Sequence, residues 1–266
     1  MAQTQPGTAL VTGASSGIGA LYADKLAQQG YDLILVARNR ERLNSLANDI
    51  STRTGRAVEV LPADLGDRAS LARVEEQLCQ DASITLLVNN AGIGTHTPLL
   101  QSDVEQMTRM VELNVTAPMR LTYAAVPGFV TRGRGAIINI ASIVAIAPEV
   151  LNGVYGGSKA FVLAFSQSLQ HELAGTGVQV QAVLPGATAT DFWAIGGRPV
   201  EMLDQRIVMR AEDLVDAALL GFARGEKVTI PSLHAGEEWD AYEAARQTMA
   251  GHLSSNTVAQ RYAAAA

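Results

Sequence analysis

Seven short runs of the chain are apolar almost without interruption: TALVT (8–12), DLILVA (32–37), AVEVLPA (57–63), ITLLVNN (84–90), GAIINIAS (135–142), VQVQAVLP (178–185) and KVTIP (227–231). A strand with one wet face alternates polar and apolar residues, so unbroken runs predict strands buried on both faces of a parallel sheet. Between them, segments of helical period occupy about 17–29, 40–53, 67–80, 103–130, 153–174 and 211–224. Strand and helix alternating in this way predict an α/β, doubly wound fold with seven parallel strands and helices on both faces. Gly30, Gly55, and Gly175 with Gly177 stand just past helical segments, where C-terminal caps belong. No Pro/Gly/Ser linker, repeat or charge block divides the chain, and only the terminal AAAA is low in complexity, so residues 1–266 read as one domain. Within it, 185–210 is a long irregular stretch of the kind that forms a substrate lid, and 234–266 reads as a C-terminal helical extension with a helix over 234–253, packed by Trp239 and Tyr242.

Composition narrows the classes of function. At 266 residues and 48% hydrophobic content the chain can fill a sizeable core. Its net charge of −6 and scattered Lys and Arg offer no basic stripe to nucleic acid or anionic lipid, and neither partner is expected. No apolar run approaches the roughly 18 residues of a membrane span, and MAQTQPG lacks a signal-peptide pattern, so a cytoplasmic protein is expected. The single cysteine, Cys79, has no partner and reads as a small buried or half-buried helix residue. His96, His171, His234 and His252 are too dispersed to suggest a ligand cluster, so no metal is expected.

The stretch TGASSGIG, Thr12 to Gly19, permits two readings. Its middle satisfies the G-x-S-x-G pattern of a hydrolase nucleophile elbow, which accounts for two of its glycines. As a glycine-rich turn between the first strand and first helix, it accounts for all three: they allow a tight turn and bring helix-terminal N–H groups against a phosphate. An elbow also needs an upstream loop for its oxyanion hole, and only about twelve residues precede this one. About 20 residues further on, a dinucleotide fold carries an acid for a ribose diol or an Arg for a 2′-phosphate. Here Arg38 follows DLILVA, with Asn39 and Arg40 and no acid at that strand end, which favours NADP(H) over NAD.

Proton-handling residues stand further along. Tyr155 and Lys159 lie four apart on one helical segment and project from one face. A free tyrosine is about 0.1% ionised at pH 7, a shortfall of about 4 kcal/mol. An ammonium about 4 Å away, at an effective dielectric near 20, would offset roughly that much, so the pair is expected to make the phenol reactive near neutrality. Three companions accompany it: Ser142 at the end of GAIINIAS, Asn89-Asn90-Ala91-Gly92 at the end of ITLLV, and Asn114, a polar amide in the apolar run MVELNVTAPM. Taken singly, these could be a turn cap, turn chemistry and a buried structural tie.

Taken jointly, Thr12-Gly13-x-x-x-Gly17-x-Gly19, Asn89-Asn90-Ala91-Gly92, Asn114, Ser142, Tyr155-x-x-x-Lys159 and Pro185-Gly186 with Thr190 resemble the short-chain dehydrogenase/reductase family in its compact form, from about residue 8 to 231. The resemblance implies a Rossmann-type sheet with Tyr155 as acid/base, Ser142 orienting the substrate oxygen, Lys159 holding the nicotinamide ribose and Asn114 positioning a relay water. It also implies cofactor contacts from Gly13, Ser15, Ser16, Gly17, Ile18 and Gly19, from Asn90, Ala91 and Gly92, and from Pro185, Gly186, Thr188 and Thr190. Asp64, with Leu65, would meet adenine, and Ser15 with Arg38 the 2′-phosphate of NADP. The sequence departs from the family pattern at Gly156-Gly157, a pair that costs helix propensity of about 1 kcal/mol per glycine and could widen the space beside Tyr155.

The substrate-side residues are apolar: Val144 and Leu151 near the serine and tyrosine, and Phe192-Trp193 in the long loop. The expected substrate is a small-molecule carbonyl compound, a hydrophobic ketone, aldehyde or keto-ester, or its alcohol. Arg198, Arg206 and Arg210 keep a 3-oxoacyl thioester as an alternative, and a non-catalytic NADP(H) sensor or scaffold is the alternative of another class. Apolar residues beyond one stripe on 103–130 and 153–174, together with the family resemblance, lead to an expected homodimer or homotetramer.

Overall fold

The structure, a computed structural model, describes residues 6–262; the first residues of MAQTQPG and the terminal AAAA lie outside the described residues. Contacts divide the chain into a larger unit ending at Pro231 and a smaller one beginning at Ser232.

In the larger unit, β1 (Thr8–Thr12), α1 (Gly17–Gln28), β2 (Asp32–Ala37), α2 (Arg40–Thr54), β3 (Val58–Pro62), α3 (Arg68–Gln80) and β4 (Ile84–Asn89) form the first half of the fold. The second half holds α4 (Val104–Val111), α5 (Ala117–Thr131), β5 (Gly135–Ile140), α6 (Gly153–Glu172), β6 (Val178–Val183), β7 (Thr188–Ala189), α7 (Phe192–Ile195), β8 (Met209–Arg210), α8 (Ala211–Ala223) and β9 (Val228–Thr229). The main sheet has seven strands in the order β3-β2-β1-β4-β5-β6-β9, all paired in parallel. The order reverses between β1 and β4, which makes their carboxyl ends the switch point of a doubly wound sheet.

The apolar runs are explained by burial on both faces. Ala9, Val11, Leu33 and Leu35 pack with Tyr22, Leu26, Leu43, Ile50 and Leu214 from α1, α2 and α8. The intervening Leu10, Ile34 and Val36 pack on the other face with Leu71, Val74, Leu121, Phe129 and Leu169 from α3, α5 and α6. Because successive strand residues point to opposite faces, both sets must be apolar. Gly55 caps α2 in the left-handed conformation, with φ 68°. Asn39 and Asp67 cap the amino ends of α2 and α3 through side-chain bonds to Arg42 N and Ser70 N.

Three expectations change. The 103–130 helix is broken by a π turn over Glu112–Thr116, which places Asn114 inward. Cys79 is exposed, because Leu71, Val74 and Leu78 take the buried stripe of α3 and residue 79 falls beside it. The 185–210 stretch carries local order: β7 and β8 pair in parallel, Thr188 to Met209 and Ala189 to Arg210, so the lid leaves and rejoins the fold at one place.

The smaller unit holds α9 (Gly236–Ala250). Trp239 and Tyr242 stack on one another with ring centroids 5.3 Å apart, and no residue of this helix is buried. Among the described residues, no helix is long and apolar enough to cross a membrane.

Candidate active site

The site grows from the carboxyl ends of β1 and β4. Thr12 Oγ1 donates to Val88 O (3.1 Å) and accepts from Asn90 N and Ala91 N (both 3.0 Å). Asn90 Nδ2 donates back to Thr12 O (2.9 Å) and Gly13 O (3.3 Å). These bonds lock the 90–92 turn against the glycine turn. A Cβ on Gly13 would stand 2.7 Å from Asn90 Nδ2 and 2.9 Å from Ala91 Cα, so only glycine permits the approach. Gly13 and Gly17 have φ of 67° and 55°, which suits glycine for the same turn. Ser16 precedes α1 as its cap without a side-chain capping bond, and the first turn of α1 contains no acid. Ser15, Ser16, Gly17 and Ile18 are partly exposed and Gly19 is buried at this helix start. The arrangement is a cradle at a positive helix end, and the elbow reading of the stretch loses its support.

Arg38 is exposed just beyond β2, next to the glycine turn, whose Ala14 N donates to Val36 O (3.2 Å). Among the described residues its side chain makes no hydrogen bond or ion pair. Asp64 is exposed past β3 and accepts from Gly66 N (3.0 Å), while Leu65 beside it is buried.

Across the switch point stand three buried side chains, Ser142, Tyr155 and Lys159. Ser142 follows β5 and is buried; its hydroxyl donates to Pro185 O (3.4 Å) and accepts from Val144 N (3.3 Å). Tyr155, in the first turn of α6, is buried and hydrogen-bonded to Ser142. Lys159, one turn on, is buried, lies 5.9 Å from the Tyr155 ring centre and donates to Ile140 O (2.8 Å). Burial pushes Tyr155 up to about 12, against the smaller opposing pull of Ser142. Burial likewise lowers Lys159 to about 8. Both groups leave water, and desolvation disfavours both charged forms, so the phenol stays protonated.

Asn114 is buried in its π turn. Its Oδ1 accepts from Ile93 N (3.0 Å), and its Nδ2 donates to Ile93 O (2.7 Å) and Ser158 Oγ (3.2 Å). A Cβ on Gly92 would sit 3.1 Å from Asn114 Oδ1 and 3.5 Å from Lys159 Nζ, so the backbone at Gly92 passes directly over both groups. Gly156 makes room for Pro148, whose Cβ would lie 3.2 Å from an added Cβ.

Val144 and Tyr155 form a cluster with Met107 and Met110, bordered by Leu151 and Phe192. Phe192 meets Tyr155 at 5.7 Å between centroids. Trp193 packs edge-on against Phe192 and donates its indole N–H to Thr188 O (3.0 Å). Thr190, near the start of the 185–210 stretch, lies opposite Gly17, where an added Cβ would be 3.4 Å from its Cγ2. Pro185 and Gly186 offer their carbonyls to Ile143 N and Thr188 Oγ1. Sequence reasoning missed Gly94, Ile93 and Ser158. Gly94 lies two residues past the Asn-Asn-Ala-Gly run and Ser158 directly before Lys159, a proximity that was the available signal. Among the described residues no group of three or more His, Cys, Asp or Glu is placed to hold a metal ion.

The lowered Lys159 gives a pH prediction. Its folded form releases a proton near 8 and its unfolded form near 10.4. Between these values the unfolded chain binds more protons, so stability rises with pH; the contribution is complete above about 10.4 and lost as pH falls through about 8. Urea unfolding from pH 7.5 to 10 should show this rise in the wild type relative to Lys159→Met. Parallel curves would remove the assignment.

Residues 7–196 match the family model described as short chain dehydrogenase. A short-chain dehydrogenase from Sphingobium yanoikuyae, solved in complex with NADPH, superposes with a TM-score of 0.94 at 48% identity, covering 96% of this chain and 99% of that one. The bulky-bulky ketone specific alcohol dehydrogenase from Comamonas testosteroni superposes with a TM-score of 0.90 at 43% identity, covering 98% and 100%. A very-long-chain 3-oxoacyl-CoA reductase from Anas platyrhynchos is 35% identical over 186 residues, 68% of this chain and 60% of that protein. The glycine cradle, the Ser-Tyr-Lys cluster and these likenesses converge: the chain belongs to the short-chain dehydrogenase/reductase family and is an NAD(P)-dependent oxidoreductase.

Proposed function

We propose that the protein is an NADP(H)-dependent carbonyl reductase and alcohol dehydrogenase acting on a hydrophobic ketone, aldehyde or keto-ester. The observation that carries this reading is the convergence of Ser142, Tyr155 and Lys159, all buried, beside an apolar wall of Val144, Leu151 and Phe192. The NADPH held by the Sphingobium relative and the ketone substrates of the Comamonas relative support it.

The cradle fits a dinucleotide. A Cβ at Gly13 would collide with Asn90 and Ala91, so the turn keeps bare backbone there, Ser16 leaves its hydroxyl uncommitted to capping, and Arg38 stands at the neighbouring strand end without a side-chain partner among the described residues. In this reading Ser15, Ser16, Ile18 and the glycines take the phosphates. Arg38 with Ser15 takes a 2′-phosphate, which selects NADP(H) over NAD. Asp64 and Leu65 border adenine, Asn90, Ala91 and Gly92 line the ribose path, and Pro185, Gly186, Thr188 and Thr190 border the nicotinamide.

Bound nicotinamide supplies or accepts hydride at the carbonyl carbon. Tyr155, protonated in its buried site, donates to the carbonyl oxygen during reduction and accepts that proton back during oxidation. Ser142 donates a hydrogen bond to the oxygen as negative charge develops on it. Lys159 uses one of its three N–H bonds on Ile140 O, which leaves donors for a ribose hydroxyl. Asn114 holds the 93 turn through both backbone groups of Ile93, and in the resemblance it also positions a relay water.

The lid arginines weigh against the 3-oxoacyl-thioester alternative, although a relative of that name exists. Arg206 pairs with Asp204 at 2.6 Å, Arg210 lies 3.8 Å from Glu212, and Arg198 turns to Met202 O at 3.5 Å, so local groups already engage all three.

A homodimer or homotetramer completes the proposal. Val104 and Tyr123 are 70% and 71% exposed, and Tyr123 stacks on Phe165, which stacks on Phe161, giving an uncovered apolar face on α4, α5 and α6. Sedimentation should give a multiple of 28.0 kDa; a monomer mass would remove this part.

Two measurements test the chemistry. Following NADPH oxidation over hydrophobic ketones, Tyr155→Phe should lower kcat by about 10²–10⁴-fold while NADPH still binds; wild-type turnover in that variant would sink the mechanism and leave the sensor reading. Arg38→Leu should raise the KM for NADPH about 10–100-fold, as loss of a charge-assisted contact does, and leave that for NADH nearly unchanged. Equal effects on both cofactors would refute the assignment of Arg38 to the 2′-phosphate.

A further inference from the structure

Gly94 carries no side chain at the point where the lid comes down on Tyr155. Its φ lies outside the left-handed region, so its backbone does not require glycine. Its surroundings do. A Cβ there would overlap Phe192 Cζ and would stand 3.0 Å from Phe192 Cε2 and 3.1 Å from Tyr155 Cε2. The missing methyl therefore opens a wedge between the Gly94 backbone and the Tyr155 ring, and the tip of the Phe192 ring fills it, tilted 45° to Tyr155.

What holds Phe192 there is slight. It belongs to the four-residue α7, whose Ile195 is 75% exposed. A second glycine, Gly196, lies over Gly94, where an added Cβ would be 3.3 Å from Gly94 O; Gly197 passes His96 with a corresponding distance of 3.5 Å. The hollow between Gly94, His96, Leu151, Phe192, Trp193 and Gly196 leaves only about 10 Å³ of free volume, room for about one water. Pockets that hold a drug-sized ligand are usually about 300–1,000 Å³. A hydrophobic carbonyl compound reaching Tyr155 thus needs the volume that Phe192 occupies.

We infer that the wedge between Gly94 and Tyr155 is a subsite for a planar aromatic substituent of the carbonyl substrate, filled by the ring of Phe192 in the free enzyme and vacated when the lid shifts. Gly94 is then a specificity-determining residue: its bare backbone leaves a gap one aromatic ring thick, which a flat substituent enters edge-on and a saturated ring does not. Exchange of one ring for another retains the aromatic contact with Tyr155, so an aryl substrate displaces Phe192 at smaller cost than an alkyl one. This inference rests on the reductase reading of Tyr155.

The test compares phenyl methyl ketone with cyclohexyl methyl ketone at saturating NADPH. In the wild type, kcat/KM for the phenyl ketone should exceed that for the cyclohexyl ketone at least tenfold. Gly94→Ala puts a methyl into the wedge and should cut the phenyl value at least tenfold more than the cyclohexyl value. Phe192→Ala removes the internal occupant and should lower the phenyl KM severalfold. Equal losses for both ketones in Gly94→Ala, or a higher phenyl KM in Phe192→Ala, would overturn the subsite. Trypsin cleavage after Arg206 in the lid separates the two levels of argument. Gly94→Ala should speed that cleavage by unseating Phe192, and an unchanged rate overturns the self-filled wedge alone. Turnover of neither ketone by the wild type overturns the aryl assignment together with the reductase reading.

Discussion

The hydroxyl of Thr12 is the point from which the site is built. It ends β1, donates to the carbonyl of Val88 and accepts from the amides of Asn90 and Ala91, so one side chain ties both strands of the switch point. Asn90 returns the connection through its amide to Thr12 and Gly13. With the two strand ends fixed, the glycine turn can approach the 90–92 turn only as bare backbone, which is why a Cβ at Gly13 has nowhere to go. The same tie sets the position of Gly92 over Asn114 and Lys159, and so links the glycine turn to the cluster of Ser142, Tyr155 and Lys159.

Desolvation governs the chemistry of that cluster. Charge on Tyr155 or Lys159 is costly when both are buried, and the pull of Ser142 on the phenol is smaller than the effect of burial. The lysine is stabilised by the carbonyl of Ile140, and a polar ligand beside it would lower the cost of its charge further.

The lid works by a different economy of contacts. Its two ends are joined by the short β7–β8 pair, and between them its side chains bond mainly to the lid itself: Trp193 to Thr188, Arg206 to Asp204, Gln205 to Val200. Few bonds reach the body of the fold, and its approach to the 94–97 turn is made through glycines. A segment ordered internally but lightly attached can change place as a unit.

Much of this was legible in the chain itself, and the reason is local. Unbroken apolar runs such as DLILVA can only be strands covered on both sides, and the glycines of Thr12–Gly19 have a steric meaning that depends on near neighbours in sequence. Tyr155 and Lys159 share a face because the helix period places them there. What the tertiary structure decided is everything that depends on partners distant in sequence. Asn114 faces inward because a π turn rotates it toward Ile93 and Ser158, 21 and 44 residues away. Cys79 is exposed because three leucine and valine side chains claim the neighbouring stripe. Tyr155 is buried because Met107 and Met110 of α4, Val144 after β5 and Phe192 of α7 pack around it, and burial is a property of the assembled fold. Gly94 gained its meaning only when Phe192, 98 residues further on, was seen to occupy the space its missing side chain leaves.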